Sequence, residues 1–325
     1  MSELMRETDP RPAKACCVPP AGDRAGTSEL GRAEAMEPRS TMLQRMISLP
    51  GGSFLMGTNN PERFPQDGEG PVREVIVSPF SIDRNPVTNE LFAKFVAETG
   101  YRTEAEQFGW SFVFWSHIPE ERFEELVEDT VAAVPWWCKV PGATWDAPEG
   151  PGSNVKDRGN YPVVHVSWND AQAFCAWSGQ RLLTEAEWEY AARGGLVQKL
   201  YPWGDQLRPD GEHRCNIWQG DFPGLDTAED GYAGTSPVDA FPPNGFGLYS
   251  LTGNAWEWCQ DWFANDFERI PGIIDPKGPP NGTARVMKGG SFLCHRSYCN
   301  RYRVAARSSN TPDSSASNVG FRCAL

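Results

Sequence analysis

Gly289-Gly290-Ser291-Phe292-Leu293-Cys294-His295-Arg296-Ser297-Tyr298-Cys299 sets two cysteines five positions apart, with a single histidine and no carboxylate between them. In a straight strand the two side chains face opposite sides. In a helix they lie about 140° apart. A turn between them is what brings the sulfurs together. From spacing alone the pair reads as a disulfide, as two unrelated core thiols, or as a two-thiolate site for a soft metal. Zinc asks for four ligands, and His295 is the only adjacent extra candidate. Monovalent copper is satisfied by two thiolates.

Upstream of this stretch, Gly253-Asn254-Ala255-Trp256-Glu257-Trp258 puts a carboxylate between two tryptophans, which either line a site or pack. Further upstream, Asn216 to Asp230 is a run of oxygen donors that includes Asp221, Asp226 and Glu229. Such loops suit calcium, which takes six to eight oxygens flexibly. The spacing is not that of an EF-hand, and a solvated acidic loop is the plain alternative.

Three helices can be read from their ends. Thr88 caps one that carries Leu91, Phe92, Phe95 and Val96 and stops at Gly100. Ser167 caps a second that runs to Gly179, and Thr184-Glu185-Ala186-Glu187 is a capping box for a third ending at Gly194-Gly195. A fourth is expected over 120–131, after Pro119. Beyond Gly195, Pro- and Gly-rich turns break up short apolar pieces, and no helical period persists. There is no repeat and no βαβ alternation, so the expected fold is a single α+β domain with little regular secondary structure. Its core relies on the 13 tryptophans. Residues 1–43 are expected to be a disordered tail containing Cys16-Cys17, with one domain over 44–325 and order beginning near Met46.

The net charge of -13 argues against nucleic acid as a partner. No apolar run reaches the ~20 residues of a membrane span. The charged N-terminus lacks a signal-peptide core, so the expected compartment is the cytoplasm. The four histidines form no HExxH pair, and there is no GxSxG elbow, P-loop or GxGxxG turn.

Several stretches together resemble the formylglycine-generating enzymes, also called sulfatase-modifying factors. They are GGSFLMG (51–57), PVVHVSWNDAQAFCAWSGQRLLTEAEWEYAARGG (162–195), CNIWQGDFP (215–223), NGFGLYSLTGNAWEW (244–258) and GGSFLCHRSYCNRYRVAARSSNTPDSSASNVGFRC (289–323). The resemblance implies a C-type-lectin-like α+β fold. It implies oxidation of a cysteine in a Cys-X-Pro-X-Arg segment of an unfolded or nascent sulfatase to Cα-formylglycine, using molecular oxygen and a thiol reductant. Cys294 and Cys299 would hold Cu(I), with the substrate thiol as a further sulfur ligand. Ser291 and Trp256 match pocket residues, Tyr298 sits beside a copper cysteine, and Asn318 matches a polar groove position. Structural Ca2+ would map to Asn216, Ile217, Asp230 and Tyr232, and to Ser250, Leu251, Gly253, Ala255 and Glu257. Cys175 and Cys323 match one family disulfide, whereas Ala192 and Val304 replace the other. Pro86 and Trp110 stand where animal members carry the acids that meet the substrate arginine.

Overall fold

A computed structural model describes residues 19–20, 40–266 and 273–325. The expected tail and Cys16-Cys17 otherwise lie outside the described residues, apart from Pro19, Pro20 and the last four positions. Pro19 is buried, and its carbonyl accepts from Asn310 Nδ2 at 3.1 Å. Packing starts slightly before Met46, because α1 (Ser40–Leu43) already buries Met42.

The other helices are α2 (Asn89–Thr99), α3 (Glu104–Phe108), α4 (Phe123–Leu126), α5 (Trp168–Ser178) and α6 (Glu185–Arg193). α2, α5 and α6 begin at the caps Thr88, Ser167 and Thr184 and stop at the left-handed glycines Gly100, Gly179 and Gly194. α3 has a capping box of its own, Thr103 with Glu106, that the hydrophobic pattern does not announce.

The helix expected over 120–131 does not form as one element. A 3-10 turn at Glu120–Arg122 leads into α4, and Val127 is already extended. Asp129–Thr130 then pairs with Trp137–Pro141 as a strand. No side chain caps α4. Phe123, Leu126 and Val127 instead cover a small apolar cluster around Val113, Cys138 and Val140, which a strand edge at 129–130 completes.

One four-stranded sheet runs in the order Met46–Leu49, Phe80–Asp83, Cys323–Ala324, Arg181–Leu182, so it ties the first strand to the last. A second runs Arg307–Asn310, Arg285–Lys288, Trp256–Trp262, Val319–Phe321. Its Trp256–Trp262 and Val319–Phe321 strands are parallel, with Trp256 opposite Val319. Trp256 N–H donates to the Asn318 carbonyl at 2.9 Å, which sets both candidate site residues at one strand end.

Buried ion pairs stitch the sheets together. Arg322 donates to both Glu257 oxygens, Arg307 to Glu185, and Lys288 to Glu189 at 3.2 Å. Each partner is almost wholly removed from water, so each charge depends on its counterpart. Among the described residues, no helix is long and apolar enough to cross a membrane.

Candidate metal and substrate site

The cysteine stretch forms a compact turn. The His295 carbonyl accepts from Tyr298, Cys299 and Asn300 N–H at 3.1, 3.0 and 3.1 Å. Such an i→i+4 turn reverses the chain between the two cysteines. Both are buried. The Cys294 sulfur accepts from Ser291 N–H at 3.4 Å, and the Cys294 carbonyl accepts from Trp218 N–H at 3.2 Å. His295 is turned toward the turn itself, with Nδ1 2.7 Å from Ser297 Oγ.

Ser291 and Asn318 meet beside this turn, where Asn318 Nδ2 donates to Ser291 Oγ at 3.0 Å. Ser291 Oγ also accepts from Leu293 N–H at 3.3 Å, so the hydroxyl is held in place. Trp256 lies fully buried on the neighbouring strand, with no hydrogen-bond partner for its Nε1–H. Its neighbour Trp258 instead donates to the Val166 carbonyl and serves packing. Tyr298 stacks on Phe222 at 4.6 Å and meets the Trp136 edge at 5.2 Å.

Phe222, Trp136 and Trp218 carry no site signal in the sequence. They form one aromatic wall, in which Phe222 meets Trp136 at 5.6 Å and Trp218 at 5.2 Å. Phe222 and Trp218 lie in a segment read for its oxygen donors, and Trp136 comes from the turn before the distant strand Trp137–Pro141, so no local pattern joins them. Cys215 is buried nearby. Burial first, then Asp230 and Cys294, push its thiol far above the usual range. Burial, then Tyr201 and the sulfurs of Cys299, Cys294 and Cys215, push Tyr302 up as well. The three sulfurs therefore share one neighbourhood around the Tyr302 ring.

The donor set discriminates between metals. Among the described residues, no group of three or more His, Cys, Asp or Glu side chains is placed to hold a metal. Two thiols with no further histidine or carboxylate fit Cu(I), and they leave zinc short of its ligands.

Part of the first set expected for calcium lies close together. Asn216 is buried, and its Oδ1 has no partner. The Ile217 carbonyl and Asp230 Oδ2 both accept from the Gln219 side-chain amide, so two donors expected to serve a cation converge on one point. Asp230 Oδ1 accepts from Tyr232 N–H at 3.0 Å. The second set fits poorly. The Glu257 carboxylate is taken up by Arg322 and by Trp188 Nε1–H at 2.8 Å, and Ser250 Oγ donates to the Val238 carbonyl at 2.7 Å.

Cys175 and Cys323 are unbonded thiols whose sulfurs approach to 3.6 Å. Ala192 and Val304 both lie in one apolar cluster, as expected where a bridge has been replaced by packing. Trp110 sits under Lys139, whose Nζ is 5.0 Å from the ring centre, and Pro86 is buried, so neither position offers an acid.

A scaffold of short strands and capped helices, with two buried cysteines on a tight turn beside a serine–asparagine pair, defines an α+β protein whose candidate site is carried by loops. The chain belongs to the sulfatase-modifying factor enzyme 1-like family, whose domain model matches residues 32–325. It is 62% identical over 282 residues to a formylglycine-generating enzyme of Thermomonospora curvata, a match spanning 86% of this chain and 92% of that one. It is 51% identical over 282 residues, 86% and 85% of the two chains, to an inactive Cα-formylglycine-generating enzyme 2 of Mus musculus. Among solved structures it resembles PvdO from Pseudomonas aeruginosa, with a TM-score of 0.62, 26% identity, and coverage of 86% and 93%.

Proposed function

We propose that this chain is a formylglycine-generating oxidase, acting on the cysteine of a Cys-X-Pro-X-Arg segment in an unfolded or nascent sulfatase. Relatives named as active and as inactive both match it closely, so family membership alone does not decide activity. The observation that carries the active reading is the cysteine pair itself. Both thiols are present and buried on one tight turn beside the Ser291–Asn318 pair.

Cys294 and Cys299 would hold Cu(I), which supplies activation of dioxygen when bound. The protein's own groups do the rest. Ser291 Oγ is fixed by Leu293 N–H and Asn318, which leaves its proton available to a polar atom of the incoming substrate. Trp256 and the Phe222–Trp136–Tyr298 wall exclude water, and they limit where the substrate Cβ can sit. The substrate thiol loses two hydrogens, and a small-molecule dithiol or two monothiols supply two more. One dioxygen takes up all four as water, and hydrolysis of the resulting thioaldehyde gives the aldehyde and sulfide. The charge of -13 suits a peptide bearing arginine.

Calcium is proposed only at the Asn216, Ile217, Asp230 and Tyr232 set, as a structural ion. Backbone bonds carry its effect toward the cysteine turn. Asn254 N–H donates to the Asn216 carbonyl at 2.8 Å, and Phe292 N–H donates to the Asn254 carbonyl at 2.9 Å.

The test of the copper assignment is Cu(I) titration. The protein should take up about one Cu(I) and discriminate against zinc. Cys294→Ala and Cys299→Ala should each lose both the metal and peptide oxidation while keeping the fold. Peptide oxidation at full rate by either variant would remove the pair from the chemistry.

A further inference from the structure

The loop from Gly57 to Gly70 touches the cysteine turn at several places. Its neck is closed where Thr58 N–H donates to the Glu69 carbonyl at 2.8 Å. Past the neck, it presents Asp67 and Glu69 to the chain that follows the cysteines, and Glu62 to the cysteine turn itself. Glu69 receives Arg303 Nη1 and Nη2 at 2.7 and 2.9 Å, and Asp67 receives Arg301 at 2.6 Å. These pairs are buried, and the Phe64 ring lies 4.2 Å from the Arg301 guanidinium. Removing one partner of such a pair strands a charge in the interior, so these contacts belong to folding.

Glu62 is different. Its carboxylate is substantially exposed, yet it accepts from Arg296 at 2.8 Å and from Asn300 Nδ2 at 3.4 Å. Arg296 lies between the two cysteines, and Asn300 directly follows the second. Asn300 also sits at a left-handed φ of 43°. Asparagine tolerates that conformation without being confined to it. One side chain thus grips the turn on both sides of Cys299.

We propose that Glu62 is a positioning residue for the thiols of Cys294 and Cys299, holding the intervening turn closed through Arg296 and Asn300. This rests on the reading of the two cysteines as a paired site, but the contacts themselves do not require a metal. An exposed pair adds little to global stability. Its effect falls on the local opening of a turn whose geometry sets thiol reach.

The experiment compares the full-length wild type with Glu62→Ala and Glu62→Gln. Melting temperatures should agree within about 2 °C. In metal-free protein, iodoacetamide should modify Cys294 and Cys299 about two- to fivefold faster in Glu62→Ala, with Glu62→Gln in between because it keeps an acceptor for Asn300. The Cu(I) dissociation constant, measured by competition, should rise by a similar factor. Equal alkylation rates in all three proteins would overturn the positioning role. A wild type that binds no Cu(I) would instead defeat the copper assignment, and the alkylation comparison would still decide the role of Glu62.

Discussion

His165 is fully buried, and both of its ring nitrogens have partners. Nε2 lies 2.8 Å from the Pro148 carbonyl, which accepts its proton, and Nδ1 lies 2.8 Å from Ser111 Oγ. Burial pushes its pKa down to about 4. The folded-state value is below the unfolded one, so the unfolded chain binds the extra proton. The stabilisation is present above the ordinary histidine range and is lost as pH falls toward about 4. This group alone should cost about 2 kcal/mol between pH 7 and pH 5. Denaturant unfolding at the two pH values should show that slope in the wild type, and His165→Gln should flatten it. An unchanged slope would assign acid sensitivity elsewhere. At this scale Cys294, Cys299, Ser291, Trp256 and Asn318 were legible because they lie in dense local motifs. The wall around Tyr298 was not, because Trp136 and Phe222 are brought together from distant segments.

α6 shows how an element serves the whole fold. Thr184 Oγ1 accepts from Glu187 N–H at 3.2 Å, and Glu187 accepts from Thr184 N–H at 2.8 Å, so two orphan amides are satisfied. Past this cap the helix carries Glu185 and Glu189, the buried partners of Arg307, Arg193 and Lys288. Thr184→Ala should therefore destabilise by about 1 kcal/mol through the cap. A much larger loss would mean that the cap also sets the register of the ion pairs, and no loss would mean that packing alone fixes the helix start. Urea unfolding measures it. Capped helices were readable because cap, apolar face and terminal glycine all lie within a dozen or so residues of one another. The 120–131 segment was misread because its outcome depends on pairing with Trp137–Pro141, a contact that local periodicity does not encode. The same holds for the parallel pairing of Trp256–Trp262 with Val319–Phe321, which builds the floor of the site.

Across the whole molecule, few elements are long, and loops carry both the site and its supports. A structural cation at Asn216 and Asp230 would act here, since the backbone path from Asn216 through Asn254 reaches Phe292 in the cysteine loop. A ligand bound only to the native state stabilises it by mass action. Chelation should lower the melting temperature, and added calcium should restore it. A chelator without effect, together with no calcium in metal analysis, would return this loop to a hydrogen-bonded turn organised by Gln219. The α+β class and the site were legible because the specific motifs sit in the loops. Sheet order and the clamp from Gly57 to Gly70 were not, because long-range pairing decides them.

The central claim is that the buried pair Cys294 and Cys299 makes this chain an oxidase of a protein cysteine. The most direct measurement is mass spectrometry of a synthetic Cys-X-Pro-X-Arg peptide incubated with the full-length protein, Cu(I), dioxygen and a thiol. The peptide cysteine should lose its sulfur and become an aldehyde that reacts with a hydrazide. Conversion should stop when either Cys294 or Cys299 is replaced. Recovery of the unmodified peptide cysteine with copper-loaded protein would contradict the claim.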